Sequence, residues 1–118
     1  MTPGQLRTRL AVYAQDTARF CRPLLRQLDT RDTVLQLKRA ATSAAANHRA
    51  AGRARSRREF VAKLGLAQEE ADEAVFWLEH LVGSDAVPPT EVGPLLAEGR
   101  ELLAILTTSY TTARERTE

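Results

Sequence analysis

The chain has a single cysteine, Cys21, so no disulfide can form within one copy. That composition suits a reducing compartment, and the expected location is the cytoplasm. No apolar run approaches the ~20 residues that a membrane-spanning helix needs. The first twenty residues, MTPGQLRTRLAVYAQDTARF, are broken by charges and lack the apolar segment of a secretory signal. Aromatic residues make up 5% and are not interleaved with the basic ones, which argues against a base-stacking surface. Glycines are scattered and form no phosphate-cradling loop. There are two histidines, His48 and His80. Three residues before them stand Ala45 and Trp77, so the Glu-x-x-His pairs of a dinuclear metal site in a helical bundle are missing. Cys21 has neither a helix start nor a histidine near it in sequence and reads as core filler. No cofactor, no metal and no enzymatic reaction are expected.

What is present is helical periodicity. The 118 residues suit a single domain, 1–118, with enough chain to bury a core. Leu6, Leu10, Tyr13, Thr17, Phe20, Leu24 and Leu28 recur at spacings of four and three, which draws one apolar stripe. Thr2, Pro3 and Gln5 supply a capping box with proline at the first helical position. Pro23 is expected to break this helix, giving a span of 3–22. A second helix over 30–54 carries Val34, Leu37, Ala41, Ala44, His48 and Ala51 on one face. Its small-residue run AATSAAAN predicts the tightest helix–helix contact. His48, on that face, reads as a structural histidine, and His80 as a surface residue at a helix end.

A third helix over 57–82 opens on the capping box SRRE, Ser56 to Glu59. It continues through Phe60, Leu64, Ala67, Ala71, Ala74, Leu78 and Leu81 and is expected to stop at Gly83 in the C′ position. A fourth, over 91–113, would be capped by Thr90, with Leu95, Leu102 and Leu106 on its stripe. There Pro94 falls among the first four residues, and the polar tail after Tyr110 is expected to fray. Four amphipathic helices, no strand signal and short connections predict an all-α, antiparallel up-and-down four-helix bundle.

The net charge of +2 hides an asymmetry. From Lys38 to Arg58 there are seven Lys or Arg residues and no acid, whereas Glu59 to Glu79 holds six acids and one base, Lys63. At 100° per residue, Arg31, Lys38, Arg49 and Arg53 fall on one stripe of the second helix, and Arg55 lies in the turn beyond. These five are the candidate nucleic-acid-binding residues, because a stripe of cations matches a phosphate backbone. The competing reading pairs arginines with carboxylates of a neighbouring copy. Arg57, Arg58, Glu69, Asp72 and Glu73 are the candidates for that interface. Phe76 and Trp77 join them, because two adjacent aromatics cannot both face the core seam. Val61 and Val75 lie off the seam too; a second apolar contact and a wider core face both account for them.

The segment Thr42 to Leu81 resembles the bacterial "four helix bundle protein" family. That family includes proteins encoded within intervening sequences of large-subunit ribosomal RNA genes. It is more distantly similar to accessory variability proteins of diversity-generating retroelements. The resemblance rests on Ser43 and Asn47, on Arg53 to Ser56, on Glu59 with Phe60, and on the run Glu69 to Glu73. His48 and Gly52 depart from the tyrosine and cysteine more usual there. The resemblance implies a four-helix bundle assembled as a ring-shaped homopentamer. It also implies no enzymatic reaction, and in the retroelement relatives a partnership with a reverse transcriptase and nucleic acid. The expected partners are therefore other copies of the chain, RNA or DNA, and a protein such as a reverse transcriptase, with no membrane.

Overall fold

Thr2 starts the first helix as its side chain predicts. Its Oγ1 accepts from the Gln5 amide at 3.1 Å, and Gln5 Oε1 accepts from the Thr2 amide at 2.8 Å. The computed structural model describes residues 1–117 and contains, among them, four helices and no strand. They are α1 (Pro3–Leu24), α2 (Arg31–Ala51), α3 (Arg57–Gly83) and α4 (Pro89–Thr117). The helices alternate in direction and neighbour one another in chain order, with α1 and α4 touching least. The result is an up-and-down four-helix bundle measuring 45 × 21 × 19 Å. No described helix is long and apolar enough to cross a membrane.

The core follows the apolar stripes. Leu10, Val34, Leu37, Leu78, Leu102 and Leu106 are fully enclosed. Ala40, Ala41 and Ala44 of α2 share the core with Ala67, Ala71 and Ala74 of α3, so these two helices carry the most extensive contact in the bundle. Cys21 is buried, and burial pushes its thiol up to about 11, which leaves it an inert core residue. Gly99 of α4 lets α1 approach. A Cβ at that position would sit 2.7 Å from the hydroxyl of the buried Tyr13. The two valines belong to the wider core face. Val75 is buried on the Gly99 side, and Val61 packs with Ala51, Leu64 and Ala113.

Several helix ends differ from expectation, each for a local reason. Pro23 lies inside the last turn of α1, which ends one residue later at Leu24. Leu28 therefore falls in the turn and is 88% exposed instead of extending the stripe. Helix α2 stops at Ala51, not at 54, because Ser56 must be extended (φ −153°, ψ 161°) to cap α3. The cap of α3 is half of the expected box. Ser56 Oγ accepts from the Glu59 amide at 3.1 Å, while the Glu59 carboxylate turns toward Arg55 Nε at 3.9 Å.

Gly83 remains helical, and the left-handed residue that ends α3 is Asp85, at φ 62°. The amides of Ala86 and Asp85 bond back to the carbonyls of Leu81 and Val82, a Schellman closure. Helix α4 begins at Pro89, ahead of Thr90, so Pro94 is its sixth residue. The bond that Pro94 cannot donate is one that the exposed Thr90 carbonyl would have received. At its far end α4 runs on to Thr117, because Ala113 is buried against Ala51 and Leu64, and Arg114 lies 5.2 Å over the Tyr110 ring.

Candidate functional site

The basic residues of α2 and the turn after it are all exposed. Lys38, Arg49, Arg53, Arg57 and Arg58 have no ion-pair partner among the described residues, and Arg55 has only the long contact to Glu59. Some arginines elsewhere are engaged. Arg9 of α1 forks onto Glu98 of α4 at 2.6 and 2.8 Å and reaches Glu101 at 3.0 Å, which raises its already high pKa further. Arg100 bridges to Glu79 of α3 at 2.8 Å. The α2 stripe is therefore a surface whose charge the chain itself does not neutralise. Arg31 stands apart: its Nε donates to the Leu25 carbonyl at 3.0 Å, so it closes the α1–α2 turn. It lies about 27 Å from Arg49 along the helix axis.

The proposed partners of the arginines lie far along α3. Arg57 and Glu69 are twelve residues apart, about 18 Å of helix, so they cannot pair within one copy. Glu69 and Asp72 are exposed, while Glu73 accepts from Trp77 Nε1 at 3.3 Å. Trp77 is half-buried on the core and shares a shallow cleft with Asp32, Leu35 and Gln36 of α2. Phe76 is the outward aromatic, 54% exposed. It meets Trp77 edge-on at 4.9 Å and stacks on His80 at 6.1 Å, so His80, exposed in the last turn of α3 as expected, is also part of an aromatic patch. Leu35 and Leu66 are exposed as well. Glu70 was not singled out by sequence. One of its carboxylate oxygens is enclosed without a hydrogen-bond partner, and burial together with Glu73 raises its pKa. The EEADE run is the signal that could have found it.

A third feature had no signal in sequence. At the end of the bundle where α1 starts, α2 ends, α3 starts and α4 ends, there is an open cavity of about 420 Å³. Leu6, Phe60 and Leu64 give it an apolar lining, and Arg7, Arg57 and Arg116 stand around it. Arg57 is held 5.5 Å over the Phe60 ring, which places this interface candidate at the cavity mouth. His48 also lines the cavity. It is nine-tenths buried, and its Nδ1 has no hydrogen-bond partner. Burial, then the charge of Arg7, hold its pKa below the ordinary value. Among the described residues no carboxylate lines this cavity, and no group of three or more His, Cys, Asp or Glu could hold a metal ion.

No protein-family model and no curated protein matches the chain. A solved structure does: a protein with unknown function from the S23 ribosomal protein family of Bacteroides thetaiotaomicron. The two are 25% identical, and the match covers 89% of this chain and 97% of that one, with a TM-score of 0.82. The chain is thus similar, over nearly its whole length, to a protein whose own activity is unknown.

Proposed function

We infer that the chain is a non-enzymatic, self-associating binding protein whose basic surface contacts nucleic acid. The observation that carries this is the run of exposed, unpaired cations Lys38, Arg49, Arg53 and Arg58 on and beside one helix. Cations spaced along a rigid helix match phosphates spaced along a strand, and releasing counterions drives such binding. A ring of copies, a homopentamer as the resemblance implies, would multiply a weak single-copy affinity. The exposed Phe76 and Leu35, with His80 stacked on Phe76, supply a face for self-association. The similar Bacteroides protein carries a ribosomal family name, so RNA is the first polymer to try.

The test is retention of structured RNA and duplex DNA on filters at low salt, then at rising salt. Affinity that falls steeply with salt, and a shallower fall for Arg49→Ala with Arg53→Ala, supports the reading. No retention at micromolar protein sinks it. Light scattering tests the assembly separately: Phe76→Glu should lower the oligomer mass. A second reading keeps the same surfaces for a protein partner, a reverse transcriptase being the kind that the resemblance implies. Arginines that leave phosphate binding unchanged when substituted, yet abolish capture of such a protein, would favour it.

A further inference from the structure

We propose that the end cavity is a binding site for a small amphipathic anion, with an acidic head among Arg7, Arg57 and Arg116 and an apolar body against Leu6, Phe60 and Leu64. Three independent features converge there. The first is the space. A cavity of about 420 Å³ within a chain of this size falls in the range of small-molecule sites, about 300–1,000 Å³. It is bounded by residues of all four helices, together with Met1, Thr2 and Gly52 beside them.

The second is charge. Three guanidinium groups surround the cavity, and among the described residues no carboxylate lines it and none of the three has an ion-pair partner. Arg57 is fixed against the Phe60 ring, and Arg7 lies beside the end of α2, its Nη1 3.9 Å from where a Cβ on Gly52 would be. A planar fork of donors suits a carboxylate or a phosphate monoester.

The third is His48. It is the buried polar side chain of this end, and its Nδ1 has no partner. Thr17 and Thr30 of the same core are satisfied by short hydrogen bonds, while the buried Tyr13 hydroxyl, like this nitrogen, has no partner. His48 also lines the cavity, so its ring, and not the enclosed nitrogen, is the part within reach of a ligand there. The lining is mostly apolar, so a head group alone would leave most of it unfilled, and an uncharged body would leave the arginines unused. Both halves of the ligand are required.

The site is separable from the nucleic-acid reading, since Lys38, Arg49 and Arg53 do not line it. Calorimetry with decanoate, decanol and decyltrimethylammonium, each below its micelle concentration, tests the inference, with amide chemical shifts locating the site. Decanoate should bind once per chain, and about tenfold or more tighter than decanol. Arg7→Gln with Arg57→Gln should remove that advantage while leaving decanol affinity unchanged. Both arginines are exposed, so this pair should fold. Ser109→Trp, which fills the cavity, should abolish binding of all three, and Lys38→Glu with Arg49→Glu should leave decanoate binding as it was. Equal affinity for acid and alcohol, tighter binding of the cation, shifts away from this end, or no decanoate binding by ~1 mM each overturns the proposal.

Discussion

The two ends of this bundle solve the same problem differently. Every helix terminus leaves backbone groups without intrahelical partners. At the end formed by residues 24–31 and 83–89, the chain satisfies them itself. Thr30 is fully buried and its hydroxyl donates to the Leu24 carbonyl at 2.7 Å. Arg31 caps the Leu25 carbonyl, and the Leu81 carbonyl receives the amides of both Ala86 and Val87. Val87 is buried as a plug. The opposite end has its caps at Thr2 and Ser56 but no plug. It keeps a cavity, three unpaired arginines and an unpartnered imidazole nitrogen. A closed end holds the fold together; an open, cationic one in the same chain is where something else is to be received.

The largest expected contrast between the ends comes from one leucine at each. Leu81 is 1% exposed in the closed end, and Leu64 is 4% exposed beside the cavity. Leu81→Ala leaves a sealed void and should cost about 3–4 kcal/mol, the transfer and cavity penalties together. Leu64→Ala merely enlarges a space that is already open, so about 2 kcal/mol, mainly transfer, is expected. Urea unfolding measures both. Equal losses would mean that the open end is as tightly supported as the closed one.

Smaller and opposite in sign are two polar substitutions. Thr30→Val keeps the shape but removes the hydroxyl that donates to the Leu24 carbonyl, which keeps the Gln27 amide at 3.2 Å, a loss of about 1 kcal/mol. His48→Leu removes a buried nitrogen that has no partner and should gain about 1 kcal/mol at neutral pH. The gain should grow on acidification. The folded pKa of His48 lies below its ordinary 6.5, so as pH falls through 6.5 the unfolded chain takes up a proton that the folded chain refuses. The parent protein should lose stability there, and His48→Leu should lack that component. Glu70, raised above its ordinary 4.5, acts with the opposite sign as pH rises through that value. It is common to both proteins and cancels in their difference. Melting curves from pH 7 to 5 for the pair decide it.

The helix faces show how far sequence carries such an argument. The stripes of Leu6 to Thr17 and Leu64 to Leu81 prescribe the bundle because burial acts on whole helix faces, and a period of three and four survives errors at single residues. The SRRE and Thr2 caps were legible for the same reason: they are local. The end cavity was not. It takes Arg7, His48, Arg57 and Arg116 from four different helices, and no spacing in the sequence brings those numbers together. Arg57 reads helix by helix as an interface residue and His48 as a structural core residue, which its burial bears out. Neither reading brings the two to one cavity, because helix ends meet in threes and fours, where side-chain length and the axial stagger of the helices decide who is adjacent. Arg31 shows the same limit. It lies on the basic stripe by angle, yet it is tied to Leu25 by a turn that the stripe does not describe.

The smallest effect concerns strain within the closed end. Asp85 holds the left-handed conformation that ends α3, at φ 62°, while Gly83, two residues earlier, is helical with open space beside its missing Cβ. Glycine and side chain are thus in each other's natural places. A left-handed L-residue costs about 1–2 kcal/mol in general and less for Asp. Glycine in a helix costs roughly 0.5–1 kcal/mol relative to alanine. Asp85→Gly and Gly83→Ala should each stabilise the protein by about 0.5 kcal/mol, and together by less than about 1 kcal/mol. Since the positions are two apart in one turn, incomplete additivity is expected, and a double-mutant cycle reads it. Neither change should touch decanoate binding about 30 Å away, as the length of α3 requires. A gain confined to stability would confirm that the two ends are independent; a change in ligand affinity would show that closing one end tightens the other.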